Sequence, residues 1–227
     1  MSIVIIKLIS VAVLGYLIGS IPFGVIVGRF ITGSDIRKYG SGKMGATNVL
    51  RTAGRKAAFL VAILDLMKGV LAVVFAGLII GTDYVIIGTN GIAMLLFGQV
   101  LAALTAICGH NWPVFLKFKG GRGVATYFGG LVALCPVAAL FGGEMLILGV
   151  GLTRFASFGS IAGAVGAYTI LVPLTVISGF PYVYLLYALI GGIFIIVMHR
   201  DNIVRLLNGR ERKIGEKASF DDSPPNT

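Results

Sequence analysis

"GGEMLILGVGLTRFASFGSIAGAVGAYTILVPLTVISGFPYVYLLYALIGGIFIIVMHR" runs from Gly142 to Arg200, and its only charges before the closing pair are Glu144 and Arg154. An amphipathic pattern, apolar on one face and polar on the other, would mark a soluble helix or strand; this stretch is apolar all round. It continues an apolar region that opens at Val124, and a bilayer crossing needs roughly 20 such residues. The composition agrees. Hydrophobic residues make up 57% of the 227 and charged residues 12%, against roughly a quarter charged in a soluble domain. The fold class that follows is an all-α integral membrane protein.

Outward from that stretch, three earlier apolar runs predict spans at about Ile3–Phe30, Ala57–Ile80 and Tyr84–Cys108. The region after Val124 is punctuated at Gly142-Gly143-Glu144, at Arg154 and at Ser178-Gly179-Phe180-Pro181. It divides into short spans near Val124–Phe141, Met145–Leu152 with its flanks, Ser157–Ile177 and Tyr182–Met198. Seven spans result, with five as the fallback. The first run is too long for a signal peptide, and its basic cluster follows it, so it reads as a retained helix. One polytopic unit is expected over residues 1–217, with a disordered tail over 218–227.

Of the nineteen Lys and Arg residues, all but Lys7 and Lys68 fall in Arg29–Lys56, Lys117–Arg122, Arg154 and Arg200–Lys217. Positive loops stay in the cytoplasm. The expected topology therefore has the N-terminus outside and the C-terminus cytoplasmic. The formal charge of +10 is explained by that placement, and no nucleic-acid partner is called for. Cys108 and Cys135 show no CxxC or zinc-type spacing, so neither a disulfide nor a metal site is expected.

Three of the basic segments share a composition. They are "GSGKMGATNVLRTAG" (Gly40–Gly54), "GHNWPVFLKFKGGRGVAT" (Gly109–Thr126) and "HRDNIVRLLNGRERK" (His199–Lys213). A lipid anchor needs only charge. Here Ser41, Thr47, Asn48, His110, His199 and Asn202 accompany the cations, and Gly40, Gly42, Gly45, Gly120, Gly121 and Gly123 let backbone N–H groups approach a ligand. Backbone donors with Arg and Lys hold phosphate. His199 and Asn202, three apart, share a helix face. His110 closes an apolar span, as a cap or a hydrogen-bond organiser. Asp65 and Lys68 place an ion pair inside a span, either functional or mutually satisfied.

Several chemistries are excluded. "GGRGVAT" lacks the GxxxxGK[ST] spacing of a nucleotide loop. A GxSxG elbow around Ser41 fails because Tyr39 and Lys43 stand where glycines are needed. Neither histidine has an aspartate five positions on, where Phe115 and Val204 stand, so the His-x4-Asp dyad of many glycerolipid acyltransferases is missing.

With "GSIPFG" (Gly19–Gly24) and "DLMKG" (Asp65–Gly69), these motifs closely resemble the PlsY family of bacterial acyl-phosphate:glycerol-3-phosphate acyltransferases, from the first span to Lys213. The resemblance implies a multi-pass inner-membrane enzyme that transfers an acyl group from acyl phosphate to the 1-hydroxyl of glycerol 3-phosphate, giving lysophosphatidic acid. It implies no cofactor, no direct use of acyl-CoA, and a functional link to an enzyme that forms acyl phosphate. It implies catalytic roles for Ser41, Arg51, Lys119, His199 and Asn202. Substrate binding falls to Gly40, Gly42, Asn48, His110, Gly120, Gly121, Arg122 and Gly123. The proton acceptor is a substrate phosphate, slightly preferred, or His199. Two positions depart from the family pattern: Lys43 replaces an asparagine, and Arg122 a lysine. A transporter or channel for a phosphorylated anion is the alternative, against which stand the loop position of the motifs and the absence of an internal repeat.

Overall fold

The computed structural model of the chain describes residues 2–81, 84–87 and 90–216. Helices α1 (Ser2–Ser20) and α2 (Phe23–Thr32) come from the first apolar run. The break falls at Ile21-Pro22, where proline lacks the N–H that would continue the helix. A single 3-10 turn, Ile36–Lys38, leads to the short helix α3 (Ala46–Ala53) and the long α4 (Arg55–Ile80). The third predicted span is shortened from its start. Tyr84–Ile87 (β1) and Asn90–Ala93 (β2) form an antiparallel hairpin, pairing Tyr84 with Ala93, and helix α5 runs only over Met94–Asn111. The β-branched run Val85-Ile86-Ile87 favours the extended backbone. Among the described residues this hairpin is the one departure from an all-helical chain.

After the basic loop come α6 (Val124–Leu134), α7 (Pro136–Thr153), α8 (Ala156–Val176), α9 (Tyr182–Met198) and α10 (Arg200–Leu207). The Gly142-Gly143-Glu144 mark does not interrupt α7. The break lies earlier, at Cys135-Pro136, because proline suits the first helical position and not the interior. Five helices are long and apolar enough to cross a bilayer, or six if the α9–α10 pair, bent by 61°, is one span. The apolar α6 adds a shorter segment of 11 residues, roughly 16 Å of helix. The tail expected over 218–227, Lys217 and the turn at Thr82-Asp83 lie outside the described residues.

Lipid offers helices no hydrophobic drive to associate, so close packing of small residues does that work. Helix α4 crosses α6 where Gly69 faces the Thr126 carbonyl and Gly129 faces the Leu66 carbonyl; a methyl group on either glycine would overlap backbone. α1 meets α5 in the same way through Gly19 and Gly109. A central apolar cluster joins α5, α6, α8 and α9 around Ile107, Tyr127, Leu131 and Leu171. Within it the Tyr187 hydroxyl donates to the Tyr127 carbonyl at 2.9 Å, and the two rings stack.

The α4–α6 crossing sets the distance between the two basic loops, so its glycines should be intolerant of side chains. Gly129→Ala should lower the thermal midpoint of the detergent-purified protein, as overpacking costs about 1–3 kcal/mol. Gly143→Ala, whose added carbon meets nothing within 4 Å, should melt with the unsubstituted protein.

Candidate functional site

The basic segments that lie far apart in sequence converge on one cavity of about 790 Å³. The first contributes Ser41, Lys43 and Asn48, the second His110, Arg122 and Gly123, and the third His199. The rest of the lining is largely apolar and includes Phe59, Ile63, Phe128, Ile147 and Val150. Phe59 and Ile147 are 70% and 69% exposed, so there the cavity meets the lipid-facing surface.

Three helices begin on this cavity. Gly45, Ala46 and Thr47 start α3; Gly123, Val124 and Ala125 start α6; Ala156 and Ser157 start α8. None of the three has a side-chain cap. The first N–H groups of a helix have no intrahelical acceptor, and they carry the positive end of its dipole. Three such ends at one place make a site for an anion.

The glycine loop works differently from its sequence-level reading. Gly120 N–H donates to the Asn111 carbonyl at 3.2 Å and Gly121 N–H to the His110 carbonyl at 3.0 Å. Those donors are therefore committed to carbonyls of the protein itself. Glycine is required there for close approach: a side chain on Gly121 would overlap the His110 imidazole. Gly123, at φ +75°, turns the chain into α6 and delivers Arg122 to the cavity. Lys119 is exposed and is not among the cavity residues.

Asn48 is buried and organises the first loop. Its Nδ2 donates to the carbonyls of Ile36 (3.0 Å), Tyr39 (3.3 Å) and Lys43 (2.9 Å), and its Oδ1 accepts from Ser41 N–H at 2.9 Å. It places Ser41 and Lys43 with its hydrogen-bonding capacity already committed. Gly42 N–H is likewise used, by the Tyr39 carbonyl, and the Gly40 carbonyl accepts from Arg212 at 2.8 Å. Arg51 stands behind the loop, its Nη2 3.4 Å from the Arg212 carbonyl. Burial, then Arg212, lowers the Arg51 guanidinium below its ordinary value. Arg122 is pushed down to about 10 by burial first, then by the charge of Arg205, with Arg51 adding to the effect. Such crowding of cations signals a site whose natural occupant is negative.

His199 Nδ1 lies 2.7 Å from the Ile195 carbonyl. A carbonyl only accepts, so the proton sits on Nδ1 and Nε2 keeps its lone pair. Burial, then Arg122, pushes His199 down to about 4; it is a neutral hydrogen-bond acceptor at physiological pH. Asn202 is not among the cavity residues, and its Nδ2 donates to Glu211 Oε1 at 2.6 Å. The same carboxylate accepts from Ser157 Oγ at 2.8 Å and from Arg205 Nε at 2.9 Å. Glu211, whose side chain is 4% exposed, was not singled out in the sequence. Its signal was that it is the one carboxylate in "GRERK". Ser157 gave none, lying inside an apolar run.

The ion pair in α4 is real. Asp65 Oδ1 is 2.8 Å from Lys68 Nζ and 3.6 Å from His110 Nδ1, all buried. Lys68 also sits over the Phe23 ring at 5.1 Å. Asp65 and His110 line the cavity, so the pair forms its inner wall and holds the ring on which Gly121 rests. Among the described residues no cluster of metal-ligating side chains occurs.

Comparison with known proteins then fixes the family. The sequence pattern of glycerol-3-phosphate acyltransferases matches residues 9–209. The chain is 65% identical over 212 residues to glycerol-3-phosphate acyltransferase 3 of Dehalococcoides mccartyi, covering 93% of this chain and 98% of that one. It is 43% identical to the glycerol-3-phosphate acyltransferase of Synechococcus elongatus, covering 94% and 97%. Among solved structures it resembles PlsY, an integral membrane glycerol 3-phosphate acyltransferase, in its glycerol 3-phosphate form, with a TM-score of 0.79, 36% identity, and 92% and 96% coverage. The lysophosphatidic acid form of PlsY matches at 0.77 and 34%. These relations favour an acyltransferase over a transporter, and the chain belongs to the glycerol-3-phosphate acyltransferase family of multi-pass bacterial membrane enzymes.

Proposed function

We propose that this enzyme takes its acyl group from an acyl phosphate and transfers it to the 1-hydroxyl of glycerol 3-phosphate. The observation that carries this reading is the mixed lining of the cavity. It gathers Arg122, Lys43 and three helix starts together with apolar side chains, of which Phe59 and Ile147 are exposed at the surface. A phosphate-headed molecule with a fatty chain suits both kinds of lining. An acyl phosphate is a mixed anhydride with a good leaving group, so the protein needs no strong acid.

The hydroxyl oxygen attacks the acyl carbon, the bond from that carbon to the phosphate oxygen breaks, and phosphate leaves with the electron pair. The proton of the hydroxyl passes to a substrate phosphate. The depressed basicity of His199 supports that assignment over a histidine base, and its Nε2 lone pair would orient the hydroxyl. Arg122 and the helix starts would offset the charge of two phosphates in a site of low dielectric, while holding hydroxyl and carbonyl together can supply about 7–11 kcal/mol. Ser41 would donate to a phosphate oxygen. Arg51 would add positive potential from behind Arg122, and Asn202 would act through Glu211. In this reading Arg122 takes the catalytic part that the resemblance implies for Lys119. An enzyme that makes acyl phosphate must act before this one.

The membrane orientation belongs to the same proposal. The basic segments meet at one end of the bundle, so they lie on one side of the bilayer, and their charge makes that side cytoplasmic. A cysteine introduced at Ser178 should react with an impermeant reagent in intact cells, and one at Lys213 only after the membrane is opened. Reaction at Lys213 from outside would reverse the orientation.

The catalytic test uses purified protein, palmitoyl phosphate or palmitoyl-CoA, and glycerol 3-phosphate. Lysophosphatidic acid should form from the phosphate donor with little from the thioester; comparable turnover on both would refute the donor. Arg122→Ala should lower turnover by about 10²–10³, and Lys119→Ala should stay near the unsubstituted rate. If Arg122→Ala also stays near the unsubstituted rate, the loop acts only as surface charge.

A further inference from the structure

Lys43 stands where the resemblance leads one to expect an asparagine, and its position in the cavity shows what it can do. Its backbone is fixed, because its carbonyl accepts from the buried Asn48 at 2.9 Å. Its side chain is half-buried and lines the cavity with Ser41 and Arg122. It precedes the start of α3 by two residues, so its ammonium and the free N–H groups of Ala46 and Thr47 border the same space. Among the described residues it forms no salt bridge: the nearby carboxylate, Asp201, is itself exposed and lies 3.7 Å from Arg200. Two other cations of the region, by contrast, each have a carboxylate partner. Lys68 is held by Asp65, and Arg205 by Glu211.

Resting on the acyl-transfer reading above, we propose that Lys43 is a substrate-binding residue of this enzyme, whose ammonium, with the start of α3, holds the phosphate of one of the two substrates. The reaction brings two phosphates into one cavity. Arg122 stands at the start of α6 and Lys43 at the start of α3, so each phosphate has a cation and a helix start. An ammonium is a compact charge that serves a phosphate as a point contact. The electrostatics agree with an occupant that is anionic. Burial first, and then the Arg122 charge, lower the Lys43 ammonium below its ordinary value, a cost that a bound dianion between the two cations removes.

The test compares the unsubstituted enzyme with Lys43→Gln and Lys43→Arg. One series varies glycerol 3-phosphate at saturating palmitoyl phosphate, and a second varies palmitoyl phosphate at saturating glycerol 3-phosphate. Lys43→Gln should raise KM for one substrate on the order of tenfold, the size of one charged hydrogen bond, with kcat nearly unchanged. Lys43→Arg should restore most of the loss. The substrate whose KM moves is the one that Lys43 holds. If neither KM moves, or if only kcat falls, Lys43 does not bind substrate. A calorimetric titration with inorganic phosphate separates this proposal from the reading beneath it. Phosphate should bind Lys43→Gln more weakly than the unsubstituted protein even if neither turned over palmitoyl phosphate, and equal affinity would overturn the role of Lys43.

Discussion

A helix that starts at the edge of a membrane leaves N–H groups with no acceptor, and lipid cannot supply one. In this protein α3, α6 and α8 all start on one cavity without a side-chain cap. Each start is forced by its neighbours. Gly45 precedes α3 from a loop pinned by Asn48, Gly123 turns the chain at positive φ into α6, and Phe155 follows the left-handed Arg154 at the end of α7. The unmet donors and the dipoles behind them demand an anion, and the arginines and lysine around them make the demand stronger. The chemistry of the family needs the same thing, a place for phosphate that abuts lipid.

The rest of the structure holds those starts in register. The buried Asp65–Lys68–His110 cluster is costly to bury and costlier to break; it joins α4 to α5 just beneath the glycine loop. On the other side the segment after α10 acts as a clasp. Glu211 ties α8 to α10, Arg212 reaches back to the Gly40 carbonyl, and Ile214 N–H pairs with the Arg154 carbonyl at 2.8 Å. Residues from both ends of the chain thus hold the segments around one cavity.

Much of this was legible in the sequence. Apolar runs gave α4, α8 and α9 nearly to the residue, since a membrane helix must be continuous and apolar. The lysine and arginine asymmetry gathered the segments that meet at the cavity. The sequence is harder to read where local signals compete. Gly142 and Gly143 look like a turn but sit inside α7, because glycine packs helices in lipid, while Pro136 sets the real break. The glycines at 120 and 121 read as a phosphate cradle, yet their N–H groups close onto α5. Lys119 and Arg122 look alike three residues apart, and only the turn at Gly123 decides which enters the cavity. The helix starts could not be read from composition, because a bare N-terminus carries no residue signature. The roles of Asn48 and Asn202 depend on partners, Ser41 and Glu211, that spacing alone does not pair.

The claim beneath all of this is that phosphate is held by helix starts and cavity cations, not by the glycine loop. An experimental structure with glycerol 3-phosphate bound tests it directly. The account predicts phosphate density inside the cavity, within hydrogen-bond reach of Arg122 or Lys43 and of first-turn N–H groups of α3, α6 or α8, with Gly120 and Gly121 still bonded to Asn111 and His110. Phosphate bound instead by the N–H groups of Gly120 and Gly121, or by Lys119 outside the cavity, would contradict it.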